Sequence, residues 1–332
     1  MTYNIAIVGA TGVVGSEFFK LLDRSTIKIK ELKLFASKKS IGKSFLFRNK
    51  TYKVTNLNLK AFKDIDFAIF AAGSKISSKF IPELKKTKTI SIDLSSFFRE
   101  DKNIPLIIPE INSEILNLDQ KVIASPNCTT TIMLMALHNL HKNFKIKRII
   151  ASTYQAASGG GKKLMDKLIS DTKKSIKTPD HNSLYGFNVF LHESPLNLQR
   201  YSSEEIKMIN ETKKILMDDK IKISATCVRV PVIRAHSLSL NVEFEKPFTL
   251  KEITFLLKKS QNVEIFQDFK NNRFITPKEA SFKKEVFVSR IREDLSNPNT
   301  IEMWVSSDQL LKGASFNAFQ ILENLISLLE AK

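Results

Sequence analysis

The residue with the clearest chemical potential is Cys128, within Ser-Pro-Asn-Cys-Thr-Thr-Thr at positions 125–131. An apolar strand precedes this segment, proline and asparagine interrupt the strand, and helical periodicity follows over Thr129–His141. Cys128 is therefore predicted at or next to a helix N-terminus, where the helix dipole and unpaired amides favour a thiolate over a thiol. The same amides are suited to hold the oxyanion formed when sulfur attacks a carbonyl. This placement favours a nucleophilic role over a purely structural one.

The other cysteine, Cys227, lies in the strand-like run Ser-Ala-Thr-Cys-Val-Arg-Val at positions 224–230. A small hydrophobic residue packed in a sheet is the better interpretation of that context. Two cysteines cannot form a disulfide framework, and no Cys/His spacing indicates structural zinc. We therefore predict no metal site.

A thiolate nucleophile needs a proton-transfer partner, and histidine is the usual one. The candidates are His138, His141, His181, His192 and His236. The first two, three residues apart on the predicted helix, resemble half of a metal site but lack a nearby carboxylate or thiol in sequence. The next two lie in polar, loop-like stretches, and the last follows the strand-like run Val228–Ile233. Residue types alone leave the choice among the five open.

A glycine turn opens the chain, where the predicted strand over Asn4–Val8 is followed by Gly9, Gly12 and Gly15. In a dinucleotide-binding turn, these positions allow a tight turn, close approach of the pyrophosphate, and packing of the helix on the strand. The amides at the helix N-terminus then face negative charge. The spacing is GxxGxxG rather than GxGxxG, and an ordinary strand-to-helix turn is the alternative.

The loop after the second predicted strand indicates which dinucleotide is bound. Positions 35–40 read Phe-Ala-Ser-Lys-Lys-Ser, without the carboxylate that holds the ribose 2′-hydroxyl in NAD-preferring folds. Ser37, Lys39 and Ser40 instead offer hydroxyl donors and positive charge suited to a 2′-phosphate. We predict NADP as the cofactor, and a solvated basic loop is the alternative.

The elements around these motifs predict an α/β fold with two domains. In the first 130 residues, nearly continuous apolar strands alternate with helices, which is typical of a doubly wound, Rossmann-like parallel sheet. These strands are predicted over Asn4–Val8, Glu31–Phe35, Phe67–Phe70, Thr89–Asp93 and Lys121–Ala124, and helices over Val14–Asp23 and Ser78–Lys85.

The remaining elements predict a second, α+β catalytic and dimerisation domain over residues 131–312. Its strands are predicted over Arg148–Ser152, Ile221–Val230 and Ser237–Phe244, and its helices over Ser203–Met217 and Leu250–Ser260. The strand Ser237–Phe244 alternates as a sheet with one solvated face does. An amphipathic helix over Gly313–Leu329 is expected to return to the first domain, so that residues 313–330 complete the NADP-binding domain of residues 1–130.

Composition narrows the classes of protein. The 332 residues are 42% hydrophobic and 26% charged, and no stretch approaches the roughly 18 apolar residues that cross a bilayer. No signal peptide precedes the first strand, so a cytoplasmic protein is expected. The formal net charge of +18 is spread over nearly every segment, which favours attraction of small anions over nucleic-acid binding.

Several segments, in order over nearly the whole chain, resemble aspartate-semialdehyde dehydrogenases. The cysteine segment and the Tyr-Gln-Ala segment are specific to that family, whereas many families share the glycine turn. The matching segments are Gly-Ala-Thr-Gly-Val-Val-Gly at 9–15, Ser-Pro-Asn-Cys-Thr-Thr at 125–130, Ser-Thr-Tyr-Gln-Ala-Ala-Ser-Gly at 152–159, Glu-Thr-Lys-Lys-Ile-Leu at 211–216, Cys-Val-Arg-Val-Pro at 227–231 and Lys-Gly-Ala at 312–314.

The resemblance implies a role for each matching residue. Cys128 corresponds to the acyl-thioester nucleophile, His236 to the acid/base residue, and Gln155 to the glutamine that orients the substrate. Arg229 resembles the residue that binds the substrate α-carboxylate, which a bidentate guanidinium suits. Glu211 resembles the carboxylate that faces the substrate amino group. The pair Arg99 and Lys214 corresponds to the inorganic phosphate site, although the sequence alone supports only two surface cations.

The resemblance also implies NADP contacts across the chain and an NADP-dependent, phosphorylating reaction. The family reduces L-aspartyl 4-phosphate to L-aspartate 4-semialdehyde and phosphate, a step towards lysine, diaminopimelate, methionine and threonine, and a homodimer or homotetramer is expected. Alternatives are N-acetyl-glutamyl-phosphate reductase, whose cysteine segment usually reads Pro-Gly-Cys, and a non-catalytic interaction subunit. The expected NADP contacts are Gly9, Thr11, Gly12, Val13, Val14, Ser37, Lys39, Ser40, Gly73, Ser158, Gly159 and Asn317.

Overall fold

The computed structural model describes residues 1–177 and 185–331, so that His181 lies outside the described residues. These residues form two compact units. Unit 1 comprises Met1–Asn127 and Ala314–Lys332, and unit 2 comprises Cys128–Gly313. The division follows Asn127, which makes Cys128 the first residue of unit 2.

Unit 1 is built on a sheet in which strand order is β3-β4-β2-β1-β5-β6-β7. The pairs from β4 to β7 are parallel, and only the edge pair β3–β4 is antiparallel in the described part of this sheet. This arrangement confirms the predicted doubly wound sheet. The strands are β1 Tyr3–Val8, β2 Ile29–Ala36, β3 Ser44–Phe47, β4 Lys50–Asn56, β5 Phe67–Phe70, β6 Ile90–Asp93 and β7 Val122–Ala124.

The helices of unit 1 include the last helix of the chain, as predicted. Phe319 on that helix meets Phe18 of α1 edge to face, and Gln320 donates a hydrogen bond to Glu110 of α3 at 2.8 Å. The predicted start at Gly313 is replaced by a π-helical turn over Leu311–Ser315, after which the regular helix begins. The helices are α1 Val13–Asp23, α2 Ser74–Leu84, α3 Pro109–Asn112 and α9 Phe316–Glu330.

The β3–β4 hairpin was not predicted, because its turn lacks the usual Asn-Gly or Asp-Gly signal. The turn residues are Arg48 and Asn49, both with positive φ. The Arg48 guanidinium donates to the carbonyl oxygens of Leu22, Ser25 and Ile27 near the end of α1. These hydrogen bonds explain why an arginine is tolerated in a conformation that bulky side chains disfavour.

Unit 2 is built on a mixed sheet with strand order β12-β15-β16-β11-β8-β10-β9. Within it, β8 lies between its parallel partner β10 and its antiparallel partner β11. The alternation predicted over Ser237–Phe244 is confirmed, because the even-numbered residues of β11 are buried. The strands are β8 Ile146–Gln155, β9 Phe190–Leu191, β10 Lys222–Arg229, β11 His236–Phe244, β12 Val263–Ile265, β13 Gln267–Asp268, β14 Arg273–Phe274, β15 Val286–Glu293 and β16 Thr300–Ser307, of which β13 and β14 pair separately.

Two helices of unit 2, α4 and α6, pack on one face of this sheet, whereas α8 lies against Phe287 and Trp304 on the other face. Helix α4 packs on β8, β11 and β16, and α6 packs on β10. Strands β15 and β16 and the largely exposed, lysine-rich helix α5 were not predicted from the sequence. The helices are α4 Cys128–Phe144, α5 Lys162–Lys177, α6 Ser203–Leu216, α7 Leu250–Lys259 and α8 Pro277–Ala280. No helix within residues 1–177 and 185–331 is long and apolar enough to cross a membrane.

Candidate active site

Three neighbouring strands of unit 2 bring three predicted site residues to one end of the sheet. Gln155 ends β8 and pairs in register with Arg229, which ends the parallel strand β10. His236 begins β11 on the other side of β8, where the next pair is Ser237 with Tyr154. Side-chain alternation places Gln155, Arg229 and His236 on the face that α4 and α6 cover.

The His236 imidazole is fully buried and held through one ring nitrogen. The Ala156 amide donates to His236 Nδ1 at 3.0 Å, so the neutral ring carries its proton on Nε2. Burial, reinforced by the Arg229 guanidinium, lowers the pKa of His236 to about 3. His236 Nε2 has no hydrogen-bond partner among the described residues. The ring is therefore a neutral Nε2–H donor at physiological pH, and its donor is available to a ligand.

Gly159 lies close against both His236 and Arg229, so that a larger residue there would crowd them. A Cβ at this position would stand 3.1 Å from His236 Nε2 and 3.1 Å from Arg229 Nη1. The two nitrogens are thus at most twice that distance apart. Gly159 was predicted as a cofactor contact, and the structure places it beside the imidazole and the guanidinium.

Arg229 is buried and already meets two oxygens. Its Nε donates to Glu193 Oε2 at 3.2 Å, and its Nη1 donates to the Ala156 carbonyl at 3.4 Å. The Glu193 side chain is 48% exposed. Although burial opposes the change, a backbone hydrogen bond and the Arg229 guanidinium lower the pKa of Glu193. Glu193 therefore remains a carboxylate, and it was not singled out from the sequence.

Gln155 has one half of its amide paired and the other half unpaired. Its Nε2 donates to Glu204 Oε1 at 3.1 Å. Its Oε1 is buried without a hydrogen-bond partner in residues 1–177 and 185–331. Buried polar groups are normally paired, so an unpaired one at a strand end is typical of a binding site. Together with His236 Nε2, the sheet end presents one unpaired acceptor and one unpaired donor.

Gln309 joins the two loops that carry these residues. Its amide donates to Ser158 Oγ and accepts from the Ala235 amide at 2.9 Å. Ala235 has φ 70, a left-handed conformation that is uncommon for a residue with a side chain. The contact with Gln309 stabilises this conformation immediately before His236. Ser158, predicted as an NADP contact, is buried in this network.

Cys128 is the first residue of α4, which confirms the predicted placement at a helix N-terminus. The backbone at Gly313 lies directly beside Cys128, because a Cβ at Gly313 would be 2.8 Å from Cys128 Cβ. Cys227 is buried in β10 as predicted, with its sulfur 3.7 Å from Met208 Sδ. Burial raises the pKa of Cys227 to about 12, and the nearby Cys128 adds a smaller effect in the same direction. Cys227 is therefore a thiol at neutral pH.

Helix α6 carries the remaining predicted residues of unit 2. Glu211 is buried and Lys214 is half-buried. Glu204 and Lys207, one to two turns earlier, share their helix face and form an ion pair at 3.2 Å. The spacing of this alternating Glu–Lys face is visible in the sequence, and it was missed there.

The glycine turn of unit 1 has the geometry that a pyrophosphate requires. Gly9 has φ 93, and a Cβ at Gly15 would lie 2.2 Å from the Gly9 carbonyl oxygen, so both positions require glycine. Gly12 is exposed and caps α1 without a side-chain hydrogen bond, and Val13 and Val14 follow in the first helical turn. The first amides of α1 are thereby left without a side-chain cap, which fits a dinucleotide phosphate.

The loop after β2 lies against this turn. Thr11 Oγ1 donates to Ser40 Oγ at 3.2 Å. Ser37 and Lys39 are exposed, and Ser40 is buried at the end of a short 3₁₀ turn. Gly73, with φ 83, precedes α2. These positions surround the strand ends at which open parallel sheets bind ligands.

Two other predicted residues of unit 1 are buried. Arg99 donates to the Leu94 carbonyl oxygen at 2.9 Å, so the alternative that it is a surface cation is wrong. Asn317 donates to the Ile107 carbonyl at 2.9 Å and to Ser125 Oγ at 3.0 Å. Asn317 therefore links α9 to the rest of unit 1. Among the described residues, no group of three or more His, Cys, Asp or Glu could hold a metal ion.

Comparison with known proteins matches both units to one class of oxidoreductase. Residues 4–118 match the semialdehyde dehydrogenase NAD-binding domain, and residues 137–312 match the semialdehyde dehydrogenase dimerisation domain. The structure is similar to aspartate semialdehyde dehydrogenase II from Vibrio cholerae, with a TM-score of 0.93 and 35% identity over 98% of this chain and 99% of that chain. The same Vibrio cholerae enzyme, complexed with ASA, gives a TM-score of 0.93 and 34% identity over the same shares of the two chains.

Full-length relatives narrow the class. The aspartate-semialdehyde dehydrogenase of Prochlorococcus marinus is 39% identical over 98% of this chain and 96% of its own. That of Helicobacter pylori is 42% identical over 96% of this chain and 97% of its own. The chain belongs to the aspartate-semialdehyde dehydrogenase family, and it carries an NAD(P)-binding domain and a dimerisation domain.

Proposed function

We propose that this protein reduces L-aspartyl 4-phosphate to L-aspartate 4-semialdehyde and phosphate, through an acyl thioester on Cys128. The observation that carries the proposal is the junction of β8, β10 and β11, where Gln155, Arg229 and His236 meet. The position of Cys128 at the start of α4 in the same unit supports it. The reaction belongs to the aspartate pathway to lysine, methionine and threonine.

Each residue has a distinct task in this mechanism. Cys128 attacks the acyl carbon, and phosphate leaves as the thioester forms. His236 acts as the acid/base residue: its Nε2–H donates to the carbonyl oxygen as negative charge develops there. Arg229 holds the substrate α-carboxylate, Glu211 faces the amino group, and Gln155 orients the substrate between them.

The anionic ligands use the remaining candidates. Arg99 and Lys214 bind the phosphate that leaves or attacks. NADP is proposed as the cofactor because the loop after β2 offers Ser37, Lys39 and Ser40 and no carboxylate at residues 35–40. When bound in its reduced form, its nicotinamide would supply the hydride that reduces the thioester. The thiolate of Cys128 is released as the aldehyde forms, so the nucleophile is regenerated.

The proposed assembly and location are those expected from the family resemblance. We propose a homodimer or homotetramer in the cytoplasm, formed through unit 2, because residues 137–312 match a dimerisation domain. Unit 1 binds the cofactor in this proposal, and unit 2 carries the catalytic residues. We propose neither nucleic acid nor a membrane as a partner.

The test is phosphate-dependent reduction of NADP with L-aspartate 4-semialdehyde. Cys128→Ala and His236→Asn are expected to lower kcat by several orders of magnitude, as removal of a nucleophile or of its acid/base partner commonly does. Cys227→Ala is the matched control, because it removes a buried thiol that takes no part in the mechanism. Full activity in Cys128→Ala would overturn the proposal. Activity with N-acetyl-glutamate semialdehyde alone would identify the chain as an N-acetyl-glutamyl-phosphate reductase.

A further inference from the structure

Glu204 is a buried carboxylate beside the candidate site that has no role in the mechanism above. It lies in the first turn of α6, and its amide donates to Ser194 Oγ at 3.2 Å. One carboxylate oxygen accepts from Gln155 Nε2 at 3.1 Å, and the other lies 3.2 Å from Lys207 Nζ. Lys207, Glu204 and Gln155 thus form a chain of polar contacts that ends at the strand end.

These contacts determine how the Gln155 amide is oriented. A carboxylate paired with an ammonium group accepts hydrogen bonds and donates none. Only the amide nitrogen of Gln155 can therefore face Glu204, and its carbonyl oxygen is turned away from the carboxylate. That oxygen is buried with no hydrogen-bond partner in the described part of the chain. An acceptor fixed in this way fits a ligand that brings a donor.

The order of the strands suggests which donor it is. Arg229, Gln155 and His236 end or begin adjacent strands, which are spaced by about 4.8 Å. A carboxylate on Arg229 and a carbonyl oxygen on His236 Nε2 leave Gln155 between them. In a 2-amino acid semialdehyde, the ammonium group stands on the carbon that also carries the carboxylate, next to the position of Gln155.

We propose that Glu204 is a positioning residue that presents the Gln155 carbonyl oxygen to the substrate ammonium group, as a second acceptor in addition to the Glu211 carboxylate. The inference rests on the proposed function. Glu204 thereby contributes to selection of amino-bearing substrates over analogues that lack the amine, although it does not touch the substrate itself. Loss of the hydrogen bond from the substrate ammonium group to Gln155 Oε1 weakens binding of the amino substrate. Binding of the analogue that lacks the amine is unaffected.

The test compares kcat/KM for L-aspartate 4-semialdehyde and for succinate semialdehyde, which lacks the amine. Wild type is expected to prefer the amino substrate, and Glu204→Gln is expected to reduce that preference about tenfold, mainly through KM. A glutamine at this position allows both orientations of the Gln155 amide. General damage to the site would lower both substrates together and leave their ratio unchanged.

Two further variants separate orientation from stability. The exchange Gln155→Glu with Glu204→Gln restores a paired strand end with an acceptor facing the site, so the preference is expected to recover relative to either single variant. Glu83→Gln removes an ion pair of the same i,i+3 type from α2 and is the matched control, with no change in the ratio. Thermal melts of all variants report folding.

The outcomes distinguish this inference from the proposed function. If wild type turns over the amino substrate and Glu204→Gln keeps its full preference, the positioning role is overturned and the proposed function stands. If the double variant Gln155→Glu with Glu204→Gln does not recover the preference for the amino substrate, Glu204 does not act by orienting the Gln155 amide. If wild type has no activity with L-aspartate 4-semialdehyde, both proposals are overturned together.

Discussion

The two candidate sites of this molecule are made from different parts of the chain. The glycine turn of unit 1 exposes backbone amides at the start of α1. This turn can form only because Gly9 and Gly15 have no side chain. The strand ends of unit 2 present buried side chains, held by contacts with residues that are distant in sequence. A backbone site is encoded locally, whereas a side-chain site depends on strand pairing.

The largest effect expected from this difference is that of Gly15→Ala. Its Cβ would lie 2.2 Å from a backbone oxygen, which cannot move without distorting the turn. We expect a loss of roughly 3–5 kcal/mol in the free energy of unfolding, as large steric conflicts cause. Urea denaturation measures this loss. A fully stable variant would show that the helix and the turn can separate without cost.

Gly159→Ala provides the contrasting change in unit 2, where the added methyl group meets side chains. It would crowd His236 and Arg229 at 3.1 Å, and these can shift slightly. We expect kcat/KM to fall about a hundredfold and the free energy of unfolding to change by less than about 1 kcal/mol. Steady-state kinetics and urea denaturation test the two parts. Equal losses of stability in both glycine variants would remove the distinction between the two sites.

The features that sequence reasoning reached are the ones encoded by local spacing. The glycine turn and the position of Cys128 at the start of α4 follow from residues within one strand-turn-helix segment. His236 was different, because five histidines were equivalent by residue type and only the family resemblance selected it. The structure gives the physical reason, since the pairing of β8 with β11 brings the Ala156 amide to His236 Nδ1.

The residues that sequence reasoning missed form hydrogen bonds with site residues that are distant in sequence. Glu204 contacts Gln155 across 49 positions, and Glu193 contacts Arg229 across 36. Their neighbours in sequence give no sign of these contacts, because both depend on how α6 and the segment between β9 and α6 pack on the sheet. The role of Arg48 was missed for a similar reason. Its hydrogen bonds to carbonyl oxygens near the end of α1 stabilise a turn that lacks the usual turn residues.

The buried imidazole predicts a pH dependence of stability that the backbone site lacks. His236 has a pKa lowered to about 3 in the folded protein, whereas an unfolded histidine titrates near 6.5. Between these values, the unfolded chain binds a proton that the folded chain does not, so stability falls as pH falls. The loss attributable to His236 is about 1.4 kcal/mol per pH unit in that window and is absent above about pH 7.

Urea denaturation between pH 7 and pH 4.5 checks this expectation. Wild type should lose stability more steeply on acidification than His236→Asn, because the variant has no imidazole to protonate. Arg229, His192 and Glu204 surround the ring, and burial lowers the pKa of His192 as well. The comparison therefore concerns the difference between the two slopes, and identical slopes would contradict a neutral, buried His236.

Lys39→Gln tests the side-chain contribution to the site in unit 1. If the exposed Lys39 meets the 2′-phosphate, the variant should raise KM for NADP about tenfold and leave KM for NAD unchanged. Lys50→Gln, an exposed lysine at the start of β4, serves as the control for the loss of one positive charge. Equal changes in KM for NADP and NAD would mean that Lys39 contributes only to the overall positive electrostatic potential of the protein.

The smallest expected effect is that of Glu193→Gln, which changes the charge beside Arg229 and keeps an oxygen for its Nε. The wild-type carboxylate is 48% exposed and lies 3.2 Å from Arg229 Nε, so it competes electrostatically with a substrate carboxylate through partly screened space. We expect KM for L-aspartate 4-semialdehyde to fall about two- to fourfold, with kcat unchanged. Glu193→Ala, which also removes the oxygen, should lose part of that gain because the guanidinium is no longer held. An increase in KM for Glu193→Gln would mean that the carboxylate itself, rather than an acceptor oxygen, holds Arg229 in place.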